Sequence, residues 1–148
     1  MTDDQIQILP PGLVHLVEAV LIIAREGKTT KGDVSKRLGL HCRYFEPYFR
    51  FLTKAGVTTS LTGPTGCVWL ARPAAGISVG ELARVCATVA ISITGREHTR
   101  SLQWSPHPLI GLMRSRMVAQ MDAVTIADLL ADPYFDRELE PRKRWAGK

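Results

Sequence analysis

Residues 29–56 read TTKGDVSKRLGLHCRYFEPYFRFLTKAG, and the rest of the chain arranges itself around them. The spacing predicts two short helices joined by a tight turn. Thr29 or Thr30 can cap the first helix, which turns Val34, Leu38 and the stem of Arg37 inward. Gly39 tolerates the left-handed backbone that ends it, and Leu40 packs the corner. The second helix carries Phe45, Phe49 and Leu52 at helical spacing until Gly56 stops it. Its outward residues are then His41, Arg43, Tyr44, Pro47, Arg50 and Lys54. Cationic and polar side chains on the second helix of such a pair suit base edges in a major groove and the phosphates beside it. Pro47 is the anomaly, because proline inside a helix removes a backbone bond and costs roughly 3 kcal/mol. The helix is expected to start late or to bend there.

Upstream, Pro10 and Pro11 open a helix that runs to about Glu26, with Leu13, Leu16, Val17, Val20, Leu21 and Ala24 as its apolar stripe. His15 on that helix has no second ligand three or four residues on, so it reads as a partly buried histidine and not a metal ligand. Downstream, Val57–Ser60 and Cys67–Ala71 are β-prone, and Thr62-Gly63-Pro64-Thr65-Gly66 between them is turn chemistry. A hairpin directly after a reading helix is a wing whose tip reaches phosphates or a minor groove, which adds Thr62 and Thr65 to the candidate DNA contacts. Trp69 is expected on the packed face of that hairpin. Ser78 and Glu81 form a capping box for a further helix with Val79, Leu82, Ala83, Cys86 and Ala90 inward.

Residues 91–108 read as a linker or sensor loop. Pro106 and Pro108 then introduce a long helix to about Met121. Its apolar positions, Leu109, Leu112, Met113, Met117 and Met121, with Ile110 and Val118 flanking, cover more than one face. Such a helix is soluble when packed against a twin, so these five residues are the candidate dimer interface. Thr125–Leu130 is a short capped helix, and residues 132–148 form a basic tail.

The totals agree with a single soluble domain. The 148 residues are 45% hydrophobic and 22% charged, with a formal net charge of +5. Between Arg25 and Arg72, nine lysines and arginines stand against three acids, so the excess gathers at the helix pair. That is the electrostatic footprint of a nucleic-acid binder. Lys31, Lys36 and Lys54 are the expected phosphate contacts. The apolar run Leu16–Ala24 follows acids and contains Glu18, so it is expected to be neither a leader peptide nor a membrane span. Cys42, Cys67 and Cys86 are too few and too scattered for a disulfide framework or a zinc site, which points to the reducing cytoplasm. Cys42, beside His41 and Arg43 in the first turn of the reading helix, is a candidate redox thiol, because a helix N-terminus and nearby cations favour thiolate. No GxSxG, P-loop, HExxH or dinucleotide-binding glycine motif occurs in a fitting context, so no catalytic residue is assigned.

The order LGLHCRYFEPYFRFLTKAGV, SLTGPTGCVWLARP, ISVGELARV and, near the end, VTIADLL resembles the Rrf-two-type winged-helix transcription regulators, the group of IscR, NsrR and CymR. The resemblance spans roughly residues 12–131. It implies a homodimeric, DNA-binding regulator with a wing after the reading helix and a long helix crossing to the partner. Members carry an arginine and three glycines around the wing turn, where this chain has Thr62, Thr65 and Cys67 in place of the arginine and two of the glycines. Cluster-binding members place three cysteines before the dimer helix. Residues 88–108 here contain none, leaving His98, His107 and Glu97 as the donors in that stretch. The expectation is therefore no cofactor, since iron–sulfur clusters are held by thiolates.

The expected architecture is mainly α with a small β-hairpin wing. A winged helix-turn-helix covers residues 10–90, and a dimerisation helix with a short packing helix covers 109–131. Two functions compete. One is a homodimeric sequence-specific repressor acting on a duplex operator. The other is a winged helix kept for protein interaction after its DNA contacts have gone.

Overall fold

One helix, α1 (Leu13–Glu26), supplies the surface on which the other elements assemble. The computed structural model describes residues 12–61, 66–94 and 108–133. After α1 come β1 (Lys28–Thr30), α2 (Lys31–Leu38), α3 (Cys42–Lys54), β2 (Thr58–Ser60), β3 (Cys67–Leu70), a single 3-10 turn at Ala74–Gly76, α4 (Val79–Thr94), α5 (Pro108–Ala123) and α6 (Ile126–Leu130). In α1, the run Leu16 to Ile23 is buried throughout, including Glu18. A helix apolar nearly all round belongs in an interior. It is covered by α2, α4, α6 and the sheet. Each of its fully buried leucines and isoleucines contributes about 2 kcal/mol of burial.

The three strands form one antiparallel sheet in the order β1-β3-β2. Lys28 pairs with Trp69 and Thr30 with Cys67, while Thr58 pairs with Leu70 and Ser60 with Val68. The hairpin expected from the sequence is therefore present with a third strand, which three residues, Lys-Thr-Thr, are too short to announce by alternation. The period of two also settles Trp69, which is only partly covered, with the Lys28 Nζ 5.2 Å from its ring centre. Val68, fully buried, and Leu70 face the core instead. The expectation for Trp69 was off by one residue of pleat.

In the second half, α4 and α5 run antiparallel. The start of α4 meets the end of α5, where the Val79 N–H donates to the Val124 carbonyl (2.9 Å) and Arg84 pairs with Asp122 (2.8 Å). Gly80 permits this approach, since a Cβ there would run into the Asp122 carboxylate and lie 3.2 Å from its Cα. Ser78 Oγ accepts from the Glu81 N–H (3.2 Å), but the Glu81 carboxylate is taken by Arg72, so the expected capping box is half made. The complete box is at α6, where Thr125 and Asp128 exchange both bonds. The exposed Asp128 carboxyl is held below the usual carboxylate range by the Thr125 backbone N–H and then by its hydroxyl. Helix α4 also continues to Thr94, past the boundary expected at residue 90. Ile91-Ser92-Ile93-Thr94 has strand propensity, and propagation from an anchored helix overrides it.

Candidate nucleic-acid interface

The site is built on α2, the turn and α3. Thr30 accepts from the Asp33 N–H (3.1 Å) and so starts α2. Gly39, at φ 71°, ends it in a left-handed turn, with the Gly39 N–H donating to the Lys36 carbonyl and the Leu40 N–H to that of Ser35. That pair of bonds is a Schellman stop, and it fixes the angle at which α3 departs. His41 opens α3: its Nδ1 accepts from the Arg43 N–H (3.1 Å). An accepting Nδ1 carries no proton, so the ring's donor is Nε2. Behind the helix, Phe45, Tyr48, Phe49 and Leu52 are buried. Phe45 stacks on Tyr48 at 5.0 Å and meets Phe49 edge-on at 5.1 Å. Burial, with Tyr44 beside it, pushes the Tyr48 hydroxyl well above its ordinary range. Helix α3 begins at Cys42 despite Pro47, whose missing N–H leaves the Arg43 carbonyl without its usual donor.

This packing sends one stripe outward. His41, Arg43, Tyr44, Arg50 and Lys54 are exposed on α3, and Lys36 is exposed on α2. Arg43, Pro47, Arg50 and Lys54 follow each other at four, three and four residues, one face of a helix. Tyr44 is half exposed and leans on Tyr48 with ring centres 6.0 Å apart. The Arg50 and Lys54 cations lie 5.3 and 5.8 Å from the Phe51 ring centre, which holds both near one spot. Glu46 is exposed between Arg43 and Arg50, a position the sequence reading passed over. A carboxylate there can accept from cytosine N4. Arg37, on α2, pairs with Glu26 at 2.9 Å.

Lys31 corrects the expected set. It is 7% exposed, with its Nζ 5.9 Å from the Phe49 ring centre, so it packs into the base of α2 and is no surface phosphate contact. Its N–H donates to the Gly66 carbonyl, and the strand-to-helix junction at Thr30 pulls it inward. Cys42 is half-buried in the first turn of α3. Thr62 and Thr65 lie outside the described residues, as do Glu97, His98, His107 and residues 134–148 of the tail.

On α5, Leu109, Leu112 and Met113 are each half exposed or more, with Val118 close behind. Met117 is intermediate, and Met121 packs against the chain's own core. Of the five residues expected at a dimer seam, Met121 is thus at least partly spent within the protomer. An open cleft of about 560 Å³ separates the end of α3 from the outer face of α4. Two of its lining cations, Arg72 and Arg84, are already paired with Glu81 and Asp122.

Residues 14–132 match the model of the Rrf2 family, described as iron-dependent transcriptional regulators. The chain belongs to the Rrf2 family. Rrf2 proteins are transcriptional regulators and not enzymes, and this one is a DNA-binding regulator. It is 32% identical over 119 residues to the HTH-type transcriptional regulator IscR of Aliivibrio salmonicida, covering 76% of this chain and 69% of that one. It is 30% identical over 122 residues to a putative HTH-type transcriptional regulator of Haemophilus influenzae, covering 78% and 81%. Among solved structures, T. potens IscR superposes with a TM-score of 0.59 at 26% identity, over 81% of this chain and 83% of that one. The oxidised form of Staphylococcus aureus CymR gives 0.62 at 21% identity, over 82% and 94%, a likeness of fold alone.

The Rrf2 description names iron, so the donors in this chain matter. Cys86 is 1% exposed on α4, and burial pushes its thiol up to about 12. A metal takes the thiolate, and this site disfavours it. Cys42 sits on α3 and Cys67 on β3. Among the described residues no three His, Cys, Asp or Glu side chains gather as a metal site, and no helix is long and apolar enough to cross a membrane.

Proposed function

We propose that two copies of this Rrf2 chain pair through α5 and carry two α3 helices to successive major grooves of a roughly palindromic operator. Occupying that site blocks polymerase, so the protein represses. The observation that carries this reading is the stripe Arg43, Tyr44, Arg50 and Lys54, held outward by four buried side chains on the same helix. Arg43, Tyr44 and Arg50 contact the groove and its edges, while Lys36 and Lys54 neutralise phosphates. The cofactor reading is that no thiolate-held iron–sulfur cluster forms. The third cysteine is a core residue, and the stretch before α5 has none. What signal the protein answers is left to the genes beside its operator.

Footprinting on genomic fragments followed by salt titration tests this. The parent should bind one or a few operators with a steep salt dependence, and Lys54→Ala should weaken every sequence alike while flattening the log–log slope by about one. Arg43→Ala should instead relax preference at particular base pairs, worth about 1–3 kcal/mol of discrimination. A salt-insensitive parent that leaves a DNA column early would sink the reading in favour of a protein-interaction module.

A further inference from the structure

Thr53 stands where the reading helix meets the β2–β3 arm. Its hydroxyl has one hydrogen, and that goes to the Phe49 carbonyl inside α3 at 3.1 Å. Two further hydroxyls approach the same oxygen, Ser60 Oγ at 3.1 Å and Thr58 Oγ1 at 3.4 Å. With its proton already given, Thr53 Oγ1 can only accept from both, so Ser60 and Thr58 must be the donors. The sequence prepares this. Residues two apart on a strand share a face, so β2 turns the hydroxyls of Thr58 and Ser60 toward α3 and sends Thr59 to solvent.

Position gives the relay its meaning. Thr53 is next to Lys54 and three residues beyond Arg50, on the helix that bears the outward stripe. The root of the arm is already held, because the Val57 N–H donates to the Leu52 carbonyl (3.0 Å). Beyond that root, the Thr53 bonds carry the attachment along β2 to Ser60, its last residue. Past Ser60, the Leu61 N–H crosses to the Cys67 carbonyl at 3.0 Å, so whatever orients Ser60 orients both strands. Apolar packing tolerates sliding, whereas a hydroxyl bond is lost within about one ångström of displacement.

We propose that Thr53 is a positioning residue: its single hydroxyl sets the angle between the β2–β3 arm and α3, and hence which phosphates the arm meets when α3 is in its groove. This rests on the DNA-binding reading above and adds to it how the two contact surfaces are kept in step.

The full-length protein and its footprinted operator provide the test. Thr53→Val keeps the branched shape and removes the acceptor. It should weaken operator binding about fivefold and shrink hydroxyl-radical protection at the edges of the site, leaving the central protection intact. Thr53→Ser should restore both. Ser60→Ala should reproduce the loss, and Thr53→Val combined with Ser60→Ala should cost no more than one of them, since both remove one coupled contact. The proposal fails if Thr53→Val leaves affinity and footprint unchanged. It also fails if the two losses add, or if protection fades evenly in step with a lowered unfolding midpoint, which would mark a merely structural threonine. A parent that protects no DNA would overturn this inference and the regulator reading together, whereas a parent that protects its operator and a Thr53→Val variant that protects it identically would overturn this inference alone.

Discussion

Helices α3 and α5 differ in whether their own chain completes them. On α3, every large apolar residue but Phe51 and Tyr44 is buried, and the polar stripe opposite is left outward. On α5, leucines and a methionine stand in solvent along a helix whose apolar residues circle it, and among the described side chains it is Met121, in the last turns, that packs against the core. The first helix has a finished inside and a chemical outside. The second leaves large apolar side chains uncovered, and the proposed pairing is argued from that exposure as the proposed recognition is argued from the stripe on α3.

The largest effect should come from breaking the finished helix. Phe49→Ala removes a fully buried ring from the aromatic cluster and should cost about 3–5 kcal/mol in denaturant unfolding. A loss under about 1 kcal/mol would mean that α3 owes its form to something other than this core. Next is the unfinished helix. Leu112→Asp puts a charge in the exposed apolar face and should weaken self-association about a hundredfold, shifting the sedimenting mass from two chains to one at micromolar concentration. An unchanged mass would move the dimer seam off α5.

The smallest effect sharpens the contrast from the side of α4, which joins the two regions. Burial raises the Cys86 thiol from an ordinary 9.0 to about 12, so the unfolded chain loses its proton first. Stability from this group is complete below pH 9 and falls as pH rises toward 12, by about tenfold in the folding constant per pH unit. Cys86→Ala should remove that slope between pH 9 and 10, before Tyr48 begins to act in the same direction. A parent with no alkaline slope in that window would place Cys86 outside the sealed interior.

Much of α3 was legible because it obeys a single period: Phe45, Phe49 and Leu52 inward, Arg43, Arg50 and Lys54 outward, with Gly39 and Gly56 marking the ends. What the sequence hid had no period to read. Lys31 looks like any surface lysine, and only the short strand before it draws it under Gly66. β1 is too brief to alternate, and Trp69, expected on the packed face of the hairpin, is turned to the other face by the pleat. The end of α4 carries β-branched residues that speak for a strand until the helix behind them is known. Thr53 escaped because a hydroxyl contact between a helix and a strand depends on register, which composition does not carry.

Residue 80 has one more consequence. Because it bears only hydrogen, α4 comes close enough for the Asp122 backbone and carboxylate to fill the space a methyl group would need. The tilt at which α5 presents its uncovered leucines is thereby calibrated by a missing atom. Exchanging that hydrogen for a carbon would act as a wedge at the fulcrum of a sixteen-residue lever, opening widest at the far end where Leu109 lies.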